Sequence, residues 1–173
     1  MLHANVDRDQ LLATLTPLCQ GIDRDILQDF VTRMDPDYFS AFSPNTLAAH
    51  ITQAATLTPD HPCDVSIEET AGGHFLITIV AYDYFSEFAT ICGLLSAFGL
   101  NIEEGRIFTS AESEQPNRNR SADPYPIRTR PQGRPGLTRK KIVDVFTVSP
   151  IEGQTFAAAN RKRLTDQLTR MIM

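Results

Sequence analysis

Three pairs of aspartates with one residue between them have a spacing that could suit metal binding. They are Asp7/Asp9, Asp23/Asp25 and Asp35/Asp37. Such pairs hold catalytic metal ions only where a strand aims both carboxylates at the ions. Here each pair lies at an end of a predicted helix, where an aspartate accepts hydrogen bonds from free amides and complements the helix dipole. We therefore interpret all three pairs as helix caps.

The other residues capable of chemistry do not form a site in the sequence. The four histidines and three cysteines show no metal-ligand spacing and no C-x-x-C arrangement; they are His3, His50, His61, His74, Cys19, Cys63 and Cys92. We expect His50 to be an ordinary packed or surface histidine and Cys92 to be a small core residue. Serine-nucleophile and phosphate-loop motifs are absent. The sequence thus predicts no catalytic residue, no metal and no cofactor, and we expect that this chain is not itself an enzyme.

Composition is that of a globular protein with one unusual stretch. Of 173 residues, 42% are apolar and 21% charged, and the net charge of −5 argues against a nucleic-acid binder. Residues 110–140 form a basic, proline-rich insert that we expect to be mobile. It either docks on an acidic partner or nucleic acid, helped by Tyr125, or it is a solubilising loop. We favour the loop, so deleting residues 112–136 should leave stability nearly unchanged.

Neither a signal peptide nor a membrane segment is expected. The first seven residues have no basic region followed by an apolar one. No apolar run approaches the roughly 20 residues that cross a bilayer. We therefore predict a cytoplasmic protein without membrane contact.

The first 60 residues are predicted to form a helical segment. Helices are expected over residues 9–19 and 23–34 and from residue 44 onward. The second is the clearest, because Asp23 caps it and Asp35-Pro36 ends it. Ser43-Pro44 opens the third with a cap and a proline at the first helical position.

In residues 61–173 the sequence pattern changes to one of alternating strands and helices. Strands are predicted over 64–70, 74–82, 100–109 and 141–149, and helices over 86–98 and from 152 or 155 to the end. In the first of these helices, Phe88, Ile91, Cys92, Leu95 and Phe98 are expected to face inward. Ser86 is its expected cap, and Gly99 is expected to end it. Phe156 is expected on the apolar stripe of the last helix.

From residue 74 the order is β-α-β-β-α, one strand short of a ferredoxin-like βαββαβ arrangement. We predict that the strand over 64–70 takes the vacant edge, because a tight turn joins it antiparallel to the strand over 74–82. The alternative is that the chain is a fragment without its final strand. The predicted fold class is α+β, with a helical segment followed by a ferredoxin-like sandwich of two helices on an antiparallel four-stranded sheet.

Residues 75–148 resemble an ACT domain. The resemblance rests on HFLITIVAYD at 74–83, FGLNI at 98–102, RIFT at 106–109 and VDVF at 143–146. The most similar version of the domain is the ACT region of bacterial PII uridylyltransferases. This resemblance implies a regulatory domain that senses an amino acid, with glutamine as the expected effector, in nitrogen-metabolism signalling. It also implies a homodimer and membership of a larger protein with a nucleotidyltransferase domain.

The resemblance places a ligand site at the loop after the second strand and at the start of the third. The residues it implies are Asp83, Phe85, Ser86, Glu87, Phe88, Asn101 and Ile102. An ACT domain usually has Pro-Gly-Leu where this chain has Phe85-Ser86-Glu87. Glycine lets the backbone approach a bound amino acid, and Ser86 adds a side chain there. The alternative function is therefore a ligand-free structural or protein-interaction module that kept the ACT fold.

Overall fold

The fold is described by a computed structural model that covers residues 7–83, 87–112 and 139–172. Its elements, in chain order, are α1 (Arg8–Leu15), α2 (Arg24–Arg33), α3 (Pro36–Ala41), α4 (Pro44–Thr56), β1 (Cys63–Glu69), β2 (Phe75–Tyr82), α5 (Glu87–Ala97), β3 (Leu100–Thr109), β4 (Lys141–Pro150) and α6 (Ala158–Ile172). A single turn of 3₁₀ helix over Ala71–Gly73 joins β1 to β2. The α+β class is therefore confirmed.

The aspartate pairs cap helices, as predicted. Asp7, Asp23 and Asp35 are the N-caps of α1, α2 and α3, and each side chain accepts a hydrogen bond from the amide two residues further on. Helix α3 was not predicted, because its six residues are too few to show a helical period. Asp35-Pro36 therefore ends α2 and also supplies a cap and a first-turn proline for α3.

The four strands form one antiparallel sheet in the order β1-β2-β4-β3. Strand β1 pairs only with β2 within this sheet, with Val65 opposite Ile79, and so takes the edge that was predicted for it. Strand β3 lies at the other edge, beside β4.

Helices cover both faces of this sheet. Strand β2 directs Ile77 and Ile79 to the face on which α5 and α6 pack, here called the α5/α6 face. It directs Val80 and Tyr82 to the other face, which packs against residues of α1, α2, α3 and α4 and is here called the N-terminal face. The near-continuous apolar character of β2 follows from burial on both sides.

Two details of the predicted helices were wrong. Phe88 does not face inward, since it is 50% exposed. The last helix begins at Ala158 rather than at residue 152 or 155, because Gly153 has φ of 81° in a turn that keeps the chain out of the helix. Phe156 therefore precedes the helix, although its side chain is buried.

Candidate functional site

Asp83 follows the last residue of β2, at one end of the sheet. Its backbone amide donates a hydrogen bond to the carbonyl of Lys140, at 3.0 Å. The side chain is exposed. Because Tyr82 pairs with Lys141, Asp83 belongs to the end of the sheet where β3 finishes and β4 begins.

Asn101 and Ile102 lie at the opposite end of the sheet. Asn101 pairs with Ser149, and Ile102 is opposite Val148 on the α5/α6 face. Both side chains are exposed, Ile102 by 37%.

The sheet register thus separates the two groups of predicted ligand residues. Lys141 and Ser149 mark their positions along β4 and lie eight residues apart. At about 3.3 Å per residue, this separation is about 26 Å. Asp83 and Asn101 of one chain therefore do not line a common pocket for a molecule the size of an amino acid.

Of the intervening loop residues, Phe85 and Ser86 lie outside the described residues, as does the predicted cap by Ser86. Glu87 is the first residue of α5. Phe88 is the next residue, and its ring stacks on that of Phe146, with 6.2 Å between ring centroids and 23° between ring planes. Half of the Phe88 surface remains open to solvent beside this contact.

Asp144, on β4, is the residue of this region whose role the sequence did not predict. It lies between Ile79 and Ile107 on the α5/α6 face and is only 2% exposed. Its Oδ1 atom has no hydrogen-bond partner among the residues that the structure describes. A carboxylate in the inward-facing row of an apolar strand was a usable signal, because such a group is costly to bury uncompensated.

The electrostatics at Asp144 favour a neutral carboxyl group or a bound cation. Burial, reinforced by the negative charge of Asp83, raises the pKa of Asp144 to about 7. The pKa of the Cys92 thiol is also raised, by burial and then by the charge of Asp144. Asp83 is exposed whereas Asp144 is buried, so of these two carboxylates only that of Asp83 is open to a ligand.

Arg33 of α2 links the helical segment to the base of the insert at the same end of the sheet. Its side chain donates hydrogen bonds to the carbonyls of Ala111 (Nε, 2.8 Å) and Arg139 (Nη2, 3.1 Å), which lie at the two ends of the insert. Residues 113–138, for which mobility is predicted, lie outside the described residues. Asp29 pairs with it at 3.0 Å. Lys141 is also buried here, and burial lowers its pKa. The described ends of the insert are thus anchored to a helix more than 70 residues earlier in the chain.

Among the remaining candidates for chemistry, His50 has a structural role. His50 is buried, and its ring forms a hydrogen bond with the hydroxyl of Tyr38. Within residues 7–83, 87–112 and 139–172, no group of three or more His, Cys, Asp or Glu side chains is placed to hold a metal ion. The same residues include no helix with the length and apolar character needed to cross a bilayer.

Comparison with known proteins does not identify the chain: no protein-family model matches its sequence, and no curated protein does.

Proposed function

We propose that this chain is a regulatory ACT-like domain that senses an amino acid in nitrogen-metabolism signalling. The sheet order supports the proposal. From β2 onward the elements run β-α-β-β-α, and β1 occupies the edge beside β2 where the final strand of a ferredoxin-like fold would lie. The resemblance to PII uridylyltransferases makes glutamine the expected effector.

The observation that carries the proposal is the separation of Asp83 from Asn101 together with the free edge of β3. If two copies pair their β3 strands antiparallel about a two-fold axis, the start of one β3 lies beside the end of the other. Asn101 of the partner subunit is then brought to the end of the sheet that carries Asp83 and Asp144. An amino acid bound between copies at this end of the sheet would place its ammonium group on the exposed carboxylate of Asp83 and its remaining polar groups toward the partner's Asn101.

The edge of β3 has the character that such pairing needs. Its only strand partner within the described sheet is β4, so one row of its backbone groups is available to another chain. Ile102 and Ile107 expose 37% and 46% of their surfaces along this strand, on the α5/α6 face. A homodimer would bury both residues in each copy.

In this proposal the chain regulates and does not catalyse. The reaction would belong to other domains of a larger protein, such as a nucleotidyltransferase. Cys19, Cys63 and Cys92 are not joined in disulfides, which accords with a reducing cytoplasmic compartment.

The second candidate is a ligand-free interaction module with the same fold. The exposed Ile102 and Ile107 favour it as much as they favour the sensor, because an apolar strand edge binds another chain whether or not a ligand is present. Ser86 stands where the loop of an ACT domain usually has glycine, and this difference also favours the interaction module.

A mixing experiment tests the shared site. Asp83→Asn and Asn101→Ala each damage both sites of a homodimer, but a mixed dimer has one intact site and one doubly damaged site. Calorimetric titration with glutamine should show little binding for either variant alone. After random subunit exchange, about a quarter of the sites should recover. Gln10→Ala, an exposed amide on α1, is the control and should bind like wild type.

No recovery on mixing would show that Asp83 and Asn101 do not share a site between subunits. Wild-type binding by both single variants would remove these residues from the site altogether. A wild-type chain that dimerises but binds no amino acid would favour the interaction module.

A further inference from the structure

A cavity of about 320 Å³ opens on the N-terminal face of the sheet, between the α3–α4 turn and strands β3 and β4. Its strand wall includes Glu104, Arg106 and Thr147. Glu104 pairs directly with Thr147 in the sheet, and Arg106 is the next residue of β3 on the same face. The cavity lies across the sheet from Asp144, so it is separate from the site proposed between subunits.

Arg106 is held in place at this cavity by three contacts. Its Nη1 donates to the carbonyl of Ala41 at 2.9 Å, and its Nε donates to Oε1 of Glu104 at 2.7 Å. The guanidinium also lies over the ring of Phe42, 5.8 Å from the ring centroid. A positive charge fixed by a backbone carbonyl, a carboxylate and an aromatic face is already oriented before any ligand binds.

In the Arg106–Glu104 pair, each charged group keeps one atom that can bind a ligand. Neither Nη2 of Arg106 nor Oε2 of Glu104 has a hydrogen-bond partner among the described residues. A free donor and a free acceptor of opposite charge therefore lie side by side. This arrangement complements the carboxylate and ammonium of a zwitterion, which are also adjacent.

The other walls of the cavity fit a compact ligand with a short side chain. Leu76 and Val145 supply apolar surface, and Ser43 and Thr46 supply hydroxyls at the N-terminus of α4. The positive end of the α4 dipole favours a carboxylate on that side. The volume is at the lower end of the range of about 300–1,000 Å³ for small-molecule sites, so it suits a single amino acid rather than a nucleotide.

We infer that this cavity is a second binding site, specific for free α-amino acids, in which Arg106 binds the carboxylate and Glu104 the ammonium group. The inference rests on the proposed amino-acid sensing for its ligand class, but it uses different residues on the opposite face of the sheet. Since about half of each charged side chain is exposed, with 42% for Arg106 and 54% for Glu104, we expect millimolar rather than micromolar affinity.

The test is a titration of the full chain with alanine and with glutamine, followed by NMR of the threonine methyl groups and the Asn101 amide. The methyl signals of Thr46 and Thr147 should shift in a saturable way. N-acetylalanine lacks the ammonium group and alaninamide lacks the carboxylate, so each should bind at least tenfold more weakly. Glu104→Gln should weaken alanine binding by a similar factor, and Glu152→Gln, on the exposed turn after β4, should not.

The outcomes separate this inference from the proposed function. Shifts at Asn101 without shifts at Thr46 and Thr147 would overturn the second site and leave the intersubunit site standing. Shifts at the threonines alone would support the second site and count against the intersubunit site. Equal binding of alanine and alaninamide would overturn zwitterion recognition, and the absence of any shift would overturn both proposals. If Glu104→Gln fails to fold, Thr147→Val tests the location instead, because it keeps the side-chain shape, removes a hydroxyl from the cavity and should weaken alanine binding.

Discussion

The hydroxyl of Tyr38 lies 3.0 Å from Nδ1 of His50, and both side chains are buried beneath the N-terminal face of the sheet. Tyr38 is also the centre of an aromatic cluster, with edge-on contacts to Phe30, Phe39 and Phe108. A single polar pair is thus enclosed by rings from two helices and a strand. The pair joins α3 to α4, and the ring contact between Tyr38 and Phe108 joins these helices to the sheet. The packing is therefore sensitive to the loss of one hydroxyl.

Tyr38→Phe should lower the free energy of unfolding by about 1–3 kcal/mol, because the nitrogen of His50 is left buried without its partner. Chemical denaturation at pH 7.5 measures this change. In a His50→Leu background the same substitution should cost much less, since no nitrogen is left unsatisfied. Equal costs in the two backgrounds would contradict an energetic link between the residues.

His50 should make the fold sensitive to acid. Burial lowers its pKa to about 4, against 6.5 in an unfolded chain. The unfolded state therefore binds more protons between these values. The contribution of neutral His50 is fully present above pH 6.5 and is lost as the pH falls toward 4. From pH 7.5 to pH 5, the unfolding free energy should fall less, or rise more, in His50→Gln than in wild type, and an unchanged pH effect would refute this assignment.

Asp144 should make the fold less stable as the pH rises, which is opposite to the effect of His50. Its folded pKa of about 7 lies above the ordinary 3.8, so the folded state binds the extra proton between these values. Stability from this group is present below pH 3.8 and is lost as the pH rises through 7. Asp144→Asn should therefore raise the melting temperature at pH 8 more than at pH 5. Asp60→Asn, in an exposed turn, is the control, and matching shifts in the two variants would contradict the prediction.

Arg33→Met should loosen the base of the insert. It removes the hydrogen bonds from the side chain to the carbonyls of Ala111 and Arg139. Loss of bonds to a charged donor should lower the unfolding free energy by at least about 1.5 kcal/mol. Hydrogen exchange of the Ala111 amide, which donates to the Arg33 carbonyl at 2.8 Å, should also become faster. Arg24→Met, at an exposed position of the same helix, should change neither quantity.

Ile102→Glu should shift the chain from dimer to monomer in sedimentation velocity, because the substitution places a charge on the β3 edge proposed for pairing. Ile151→Glu is a closely matched control, since Ile151 is 39% exposed against 37% for Ile102 but lies after β4. Identical behaviour of the two variants would rule out an interface along β3.

The sequence predicted local structure well where one residue determines it. Asp23 caps α2 as expected, and Gly99 ends the α5 region with φ of 71°. The position of β1 also followed from local chemistry, since the glycine turn at 71–73 leaves an antiparallel neighbour as the simplest outcome. Helix α3 escaped prediction because a six-residue helix has too few turns to show a period.

The candidate site was less predictable because it depends on strand register. The resemblance to ACT domains groups Asp83 with Asn101, yet they lie at opposite ends of the sheet once β3 and β4 pair. The sequence places Asp144 in an apolar strand, but its burial could not be predicted because it requires α5 to cover that face. The Arg106–Glu104 cavity depends on the packing of α3 and α4 against the sheet, and sequence periodicity alone does not specify that packing.

A thermal-melt screen of the full chain against the twenty amino acids at millimolar concentration measures amino-acid sensing directly. A ligand present at 100 times its dissociation constant adds about 2.7 kcal/mol, which raises the melting temperature by several degrees in a chain of this size. We expect a selective rise in melting temperature with one or a few amino acids, glutamine among them. A flat response to all twenty would contradict it and favour the interaction module.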